Sequence, residues 1–142
     1  GLLMPGAEAS GSQAEKRLYQ LAKEANENGE TFPILGICFG IQNLPLLELG
    51  IDREDSFDYL IPFPFFDAED ISLPLEFTSY GSTQSAIFDT EMQELLSKPI
   101  TYNHHSGGIL PDVFMEDPAL TAMYAVTSIN HDRNETAFIS SL

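Results

Sequence analysis

The single cysteine of this 142-residue chain, Cys38, stands between two glycines in Gly36-Ile37-Cys38-Phe39-Gly40. A thiolate is a nucleophile, and glycines two residues to either side are the pattern of a nucleophile held on a tight strand-to-helix turn. On such a turn the nucleophile sits in strained backbone, and its neighbours must pass one another without a clashing Cβ. A cysteine there lies at a helix N-terminus, where unpaired N–H groups and the dipole favour thiolate over thiol. The N–H of Phe39 would point to where an oxyanion forms during acyl transfer. The loop Pro5-Gly6-Ala7 is the natural source of a second donor. The other reading of a lone cysteine is a small buried hydrophobe, and the five residues alone do not separate the two.

A cysteine nucleophile works with a base, most often histidine. The chain has His104, His105 and His131. The first two fall in Asn103-His104-His105-Ser106-Gly107-Gly108, a loop by composition. From there either could reach a site built of other loops, or both could face solvent. His131 falls in the turn-rich stretch 130–134 and reads as a solvent-facing turn residue. None has the spacing of a metal site, and one cysteine excludes both an internal disulfide and a multi-cysteine zinc site.

These residues need elements to position them. Residues 1–4 read as a buried strand stopped by Pro5-Gly6. Residues 13–28 read as an amphipathic helix with Ala14, Leu18, Leu21, Ala22 and Ala25 on one face, closed by Asn28-Gly29. Residues 32–37 make a second buried strand. Residues 39–49 make a helix that Gly50 stops and that Pro45 would kink or shorten. Strand, helix, strand, helix in this order is the signature of an α/β fold, a parallel sheet with covering helices. The acidic stretch 51–70, rich in Asp, Phe and Pro, reads as a long excursion. Beyond it come a strand over 71–78 weakened by Pro74, a short helix over 90–97 with Thr90 at its N-cap, a brief strand over 100–102, and a strand pair over 123–129 and 135–140.

Composition narrows the function. A hydrophobic content of 43% belongs to a folded globular chain. No apolar run approaches the ~18 residues a membrane-spanning helix needs. Six basic residues face 22 acidic ones, a formal charge of −16. Such a surface repels phosphate backbones and anionic membranes, so neither nucleic acid nor a membrane is an expected partner. The chain opens at Gly1 without an initiator methionine or a signal-peptide pattern, and residues 137–142 read as a strand at its end. An internal piece of a longer protein is therefore expected.

Five segments, in order along the chain, resemble the γ-glutamyl hydrolases. They are Gly1-Leu2-Leu3-Met4-Pro5-Gly6, Phe32-Pro33-Ile34-Leu35-Gly36-Ile37-Cys38-Phe39-Gly40, Leu73-Pro74-Leu75-Glu76-Phe77-Thr78, Thr101-Tyr102-Asn103-His104-His105 and Glu135-Thr136-Ala137-Phe138-Ile139-Ser140. These enzymes are class I glutamine amidotransferase-like and trim γ-linked glutamates from folate poly-γ-glutamates. The resemblance implies a flavodoxin-like three-layer α/β fold truncated at both ends. Residues 1–142 would form one partial domain, without the family's first strand–helix unit and its C-terminal histidine–glutamate segment. It further implies Cys38 as a nucleophile forming a thioester, with Gly6, Ala7 and Phe39 as the oxyanion hole and His105 holding substrate. Ala7 replaces a second glycine common in the family, a mild change where only the N–H is used.

The resemblance implies no cofactor and a small-molecule substrate, a folyl poly-γ-glutamate or γ-glutamyl peptide. It also implies a lysosomal, vacuolar or secreted setting, and it admits a homodimer. Asn134-Glu135-Thr136 is a sequon compatible with that route. The family's general-base histidine lies in a W-H-P-E stretch beyond the strand matched by residues 135–140. The chain alone is therefore expected to show little or no γ-glutamyl hydrolysis. Basic groups that should hold a carboxylate-rich substrate do not cluster near these motifs, although an acidic compartment would soften the repulsion. Two alternatives stand beside this reading: a glutaminase domain that passes ammonia to a synthase, and an inactive homologue acting as a binding protein.

Overall fold

The computed structural model describes residues 1–6, 12–85 and 87–142. The chain divides into two compact units, Gly1–Ser56 and Phe57–Leu142. The first contains β1 (Leu2–Met4), α1 (Gln13–Glu27), β2 (Ile34–Gly36), α2 (Phe39–Leu49) and α3 (Arg53–Ser56). β1 and β2 pair in parallel, with Leu2 opposite Ile34 and Met4 opposite Gly36. Parallel neighbours need a crossover, and α1 provides it.

Helix α1 starts where Ser12 accepts a hydrogen bond from the Glu15 amide, and Asn28 caps its end. Its buried face coincides only in part with the one the apolar spacing suggests. Tyr19 and Ala22 are buried, whereas Leu18 and Leu21 are 51% and 42% exposed. A polar anchor sets the helix rotation. The Tyr19 hydroxyl donates to Glu48 on α2 at 2.8 Å, and Lys23 grips the same carboxylate at 2.7 and 2.9 Å. Helix α2 runs its full expected length through buried Pro45. The proline therefore does not shorten it.

The second unit contains β3 (Ala68–Leu73), β4 (Glu76–Phe77), α4 (Ser79–Gln84), α5 (Thr90–Leu96), β5 (Thr101–His105), α6 (Pro111–Glu116), α7 (Pro118–Met123), β6 (Ser128–His131) and β7 (Ala137–Ser141). β3 pairs antiparallel with β5, and β4, β6 and β7 form an antiparallel sheet in that order. The sheets have two, two and three strands. The chain is mixed α and β, and these small sheets do not by themselves display a three-layer arrangement.

Pro74 splits the expected 71–78 strand in two. Its nitrogen has no proton for a ladder, its carbonyl accepts from the Asn130 amide, and the Leu75 N–H turns to Leu96 O at 2.7 Å. The chain thus leaves β5 and continues beside β6. Thr78 then caps α4, accepting from the Gly81 amide at 3.0 Å while its hydroxyl donates to Val126 O at 2.7 Å. The N-cap of α5 is Asp89 and not Thr90, since the Asp89 carboxylate accepts the Met92 amide at 2.8 Å. Two short helices occupy 111–123, so the later strand begins only at Ser128.

The turn between β6 and β7 is built around Asp132, which is 4% exposed. Its carboxylate accepts the amides of Asp67, Asn134 and Thr136, each at 2.8 Å. Burial works to raise this carboxyl group, but the amide donors outweigh it and hold its pKa below the usual value of 3.8. The stability it contributes is therefore present above that value and is lost as pH falls through the lowered one. Asp132→Ala leaves three donors without their acceptor and should cost about 3 kcal/mol at pH 7, read by urea unfolding. Asp132→Asn should flatten the acid limb of the stability profile. An unchanged limb would show that other carboxylates carry it.

Candidate functional site

Strand β2 ends at Gly36 and α2 begins at Phe39, so Ile37 and Cys38 make the whole turn. Cys38 is the N-cap of α2 with φ +56° and ψ −116°, and its thiol is exposed. A side chain with a Cβ rarely adopts this backbone, which costs about 1–3 kcal/mol. The cost is met by hydrogen bonds on both sides. Ile37 N–H donates to Met4 O at 3.0 Å, Gly40 N–H to Ile37 O at 2.9 Å, and Ile41 N–H to Cys38 O at 3.1 Å.

The turn closes only because the start of α2 passes directly against β1. A Cβ at Gly40 would stand 2.0 Å from Met4 O, and one at Gly36 would stand 2.6 Å from the Gly40 carbonyl. The loop after β1 comes close to Cys38 as well. A Cβ at Gly6 would lie 2.7 Å from Cys38 Cβ and 3.2 Å from Sγ. Gly6 and Cys38 are thus brought together. Phe39 occupies the first helical position, whose N–H the helix itself does not consume. Ala7, the other expected oxyanion donor, lies outside the described residues.

The histidines belong to the second unit. His104 and His105 are not on a loop, because β5 continues through them and His105 pairs with Ala68. Alternation along the strand sends the two rings to opposite faces. His104 is 61% exposed, and its Nδ1 lies 3.1 Å from Asp70 Oδ1, to which the Tyr102 hydroxyl also donates at 2.5 Å. That hydroxyl and the His104 charge lower the Asp70 pKa, while Asp70 raises that of Tyr102. His105 turns inward. Its ring meets Phe138 edge-on at 4.7 Å, beside the cluster of Phe66, Ala68 and Phe138, and its Nε2 lies 3.3 Å from Asn103 Oδ1. Burial lowers its pKa against the opposing effects of the Gly107 backbone and Asp132. His131 ends β6 and not a turn, with Nδ1 3.2 Å from Glu76.

No protein-family model matches the chain. Over 99% of its length it is 30% identical to γ-glutamyl hydrolase B of Dictyostelium discoideum, and over 100% it is 32% identical to the γ-glutamyl hydrolase of Rattus norvegicus. Over 89% of its length it is 29% identical to γ-glutamyl hydrolase 1 of Arabidopsis thaliana. By sequence, the chain resembles the γ-glutamyl hydrolases over nearly its whole length. It spans 41%, 44% and 35% of these three relatives, respectively.

One residue beside the elbow carried no signal in the spacing of the motifs. Arg53, from α3, places its guanidinium 4.2 Å from the centre of the Phe39 ring. Only folding brings that basic group to the turn.

Gly40→Ala should destabilise the first unit by about 3 kcal/mol, because the new methyl meets a backbone carbonyl that cannot move alone. Gly6→Ala puts its methyl 2.7 Å from Cys38 Cβ, which the turn holds in place, and should also lower the thermal stability of the first unit. It should slow alkylation of Cys38 by iodoacetamide about tenfold, equivalent to about 1.4 kcal/mol. Equal alkylation rates would mean that the loop does not crowd the thiol.

Proposed function

We propose that this chain carries the nucleophile of a cysteine-dependent γ-glutamyl hydrolase acting on γ-linked glutamyl chains such as folyl poly-γ-glutamates. The observation that carries the reading is Cys38, held at φ +56° with Gly6 against its thiol. It stands in a chain whose curated relatives are γ-glutamyl hydrolases.

Cys38 Sγ attacks the γ-glutamyl carbonyl carbon, and the carbonyl π electrons move to oxygen. The Phe39 N–H and the loop at Gly6 and Ala7 stabilise that oxyanion. Collapse expels the amine of the next residue, which leaves with a proton, and forms the thioester. Water then attacks the thioester, releasing the new carboxylic acid and restoring the thiol. The resemblance assigns the proton transfers to a histidine outside residues 1–142.

His105 is the substrate-holding residue in this scheme. Burial of its ring disfavours the imidazolium, so at neutral pH it acts as a hydrogen-bonding group and not a cation. His104, on the other face of β5, has no such part. A lysosomal, vacuolar or secreted setting and a homodimer belong to the same proposal. A glutaminase domain shares the elbow, but the named relatives favour the hydrolase.

Cys38→Ser in the protein that carries this chain should abolish release of glutamate from a γ-glutamyl peptide. Wild-type Cys38 should be labelled by a γ-glutamyl chloromethyl ketone, with protection by γ-glutamyl but not α-glutamyl peptide. Turnover that survives Cys38→Ser would end this reading. His105→Gln should raise KM about tenfold, from the loss of about 1.4 kcal/mol of substrate hydrogen bonding, and His104→Gln should leave it within twofold.

A further inference from the structure

Arg53 opens α3 and reaches back to the first turn of α2. Its Cζ lies 4.2 Å from the Phe39 ring centre, and its Nη2 donates to Gln42 Oε1 at 2.7 Å. Phe39 and Gln42 are three apart on α2 and so share a face. Gln42 is 8% exposed and Arg53 Nη1 is buried, so the guanidinium is built into the unit. One planar group thus holds an aromatic face and an amide oxygen at once. An ammonium on a flexible stem cannot reproduce that combination.

The residue it holds is the one directly after Cys38. The Cys38–Phe39 peptide joins a left-handed N-cap to the first helical position, and its rotation sets the direction of the Phe39 N–H. The Phe39 side chain is the handle nearest that peptide. We propose that Arg53 is a positioning residue for the elbow: by clamping the Phe39 ring it fixes the direction of the Phe39 amide. This rests on the hydrolase reading for its kinetic consequence, but not for its structural one.

Two measurements test it, both on the protein that carries this chain. In γ-glutamyl hydrolysis, Arg53→Met and Phe39→Leu should each lower kcat about tenfold with KM within twofold, because the amide would act on the oxyanion and not on bound substrate. The double variant should lose no more than either single one. Arg53→Lys should fall with Arg53→Met. Additive losses, a rise in KM at constant kcat, or activity that returns at a lower temperature along with the fold would each overturn the proposal.

The order of the Phe39 amide does not depend on any activity. Arg53→Met should lower the backbone 15N order parameter of Phe39 from the rigid range to below about 0.6, while those of β6 and β7 stay the same. An unchanged Phe39 order parameter overturns the clamp. A wild-type protein without γ-glutamyl hydrolysis, but with this loss of order on Arg53→Met, would instead overturn the hydrolase reading and leave the clamp standing.

Discussion

The backbone of Gly40 passes so close to the carbonyl of Met4 that a methyl group there would stand 2.0 Å from the oxygen. The arrangement of the first unit depends on that approach. It brings α2 up against β1, and the Ile37 amide bonds to the same carbonyl, so the chain between β2 and α2 must turn within two residues. Cys38 takes the strained conformation because its neighbours on both sides are already committed. The strain is local, whereas the bonds that impose it are shared by a strand pair and a helix.

Polar side chains maintain that position from farther out. Glu48 near the end of α2 is gripped by Tyr19 and Lys23 of α1, and Asn43 donates to Glu15 at 3.2 Å. These contacts cross from one helix to the other over the length of α2, so the helix cannot rotate and take the cysteine with it. In the second unit the same work falls to buried hydroxyl and amide groups. Ser128 and Ser141 lie 2.5 Å apart, and the Thr127 hydroxyl donates to Ser141 at 2.6 Å. Asn130 accepts from Ser140 at 2.6 Å while donating to the Pro74 carbonyl. Each of these groups is satisfied, which is what allows polar side chains to stay buried.

A charge of −16 repels other anions. Several of the few cations are engaged in internal ties. Lys16 meets Asp52, Lys23 meets Glu48 and Arg133 meets Asp67, each at 2.7 Å. Arg53 lies on the Phe39 ring. These four basic residues thus serve as internal fasteners.

Much of this was legible in the sequence. The glycine spacing around Cys38, the Asn28-Gly29 stop and the alternation of apolar runs named the elbow, α1 and the parallel pair, because each is a local requirement of backbone geometry. Pro74 signalled a weakened strand, but the switch between sheets depended on Asn130, far along the chain. His104 and His105 read as loop residues by composition. The ladder with β3 made them strand, and strand alternation then separated an exposed ring from a half-buried one. The buried face of α1 was legible only in part: Ala22 is buried as the spacing suggests, but Leu18 and Leu21 are exposed while Tyr19 reaches the Glu48 carboxylate. The sequence by itself determined which backbone could turn sharply enough to carry a nucleophile. Only the tertiary structure decided which side chains meet there, because those pairings join residues whose separation along the chain leaves no periodic trace.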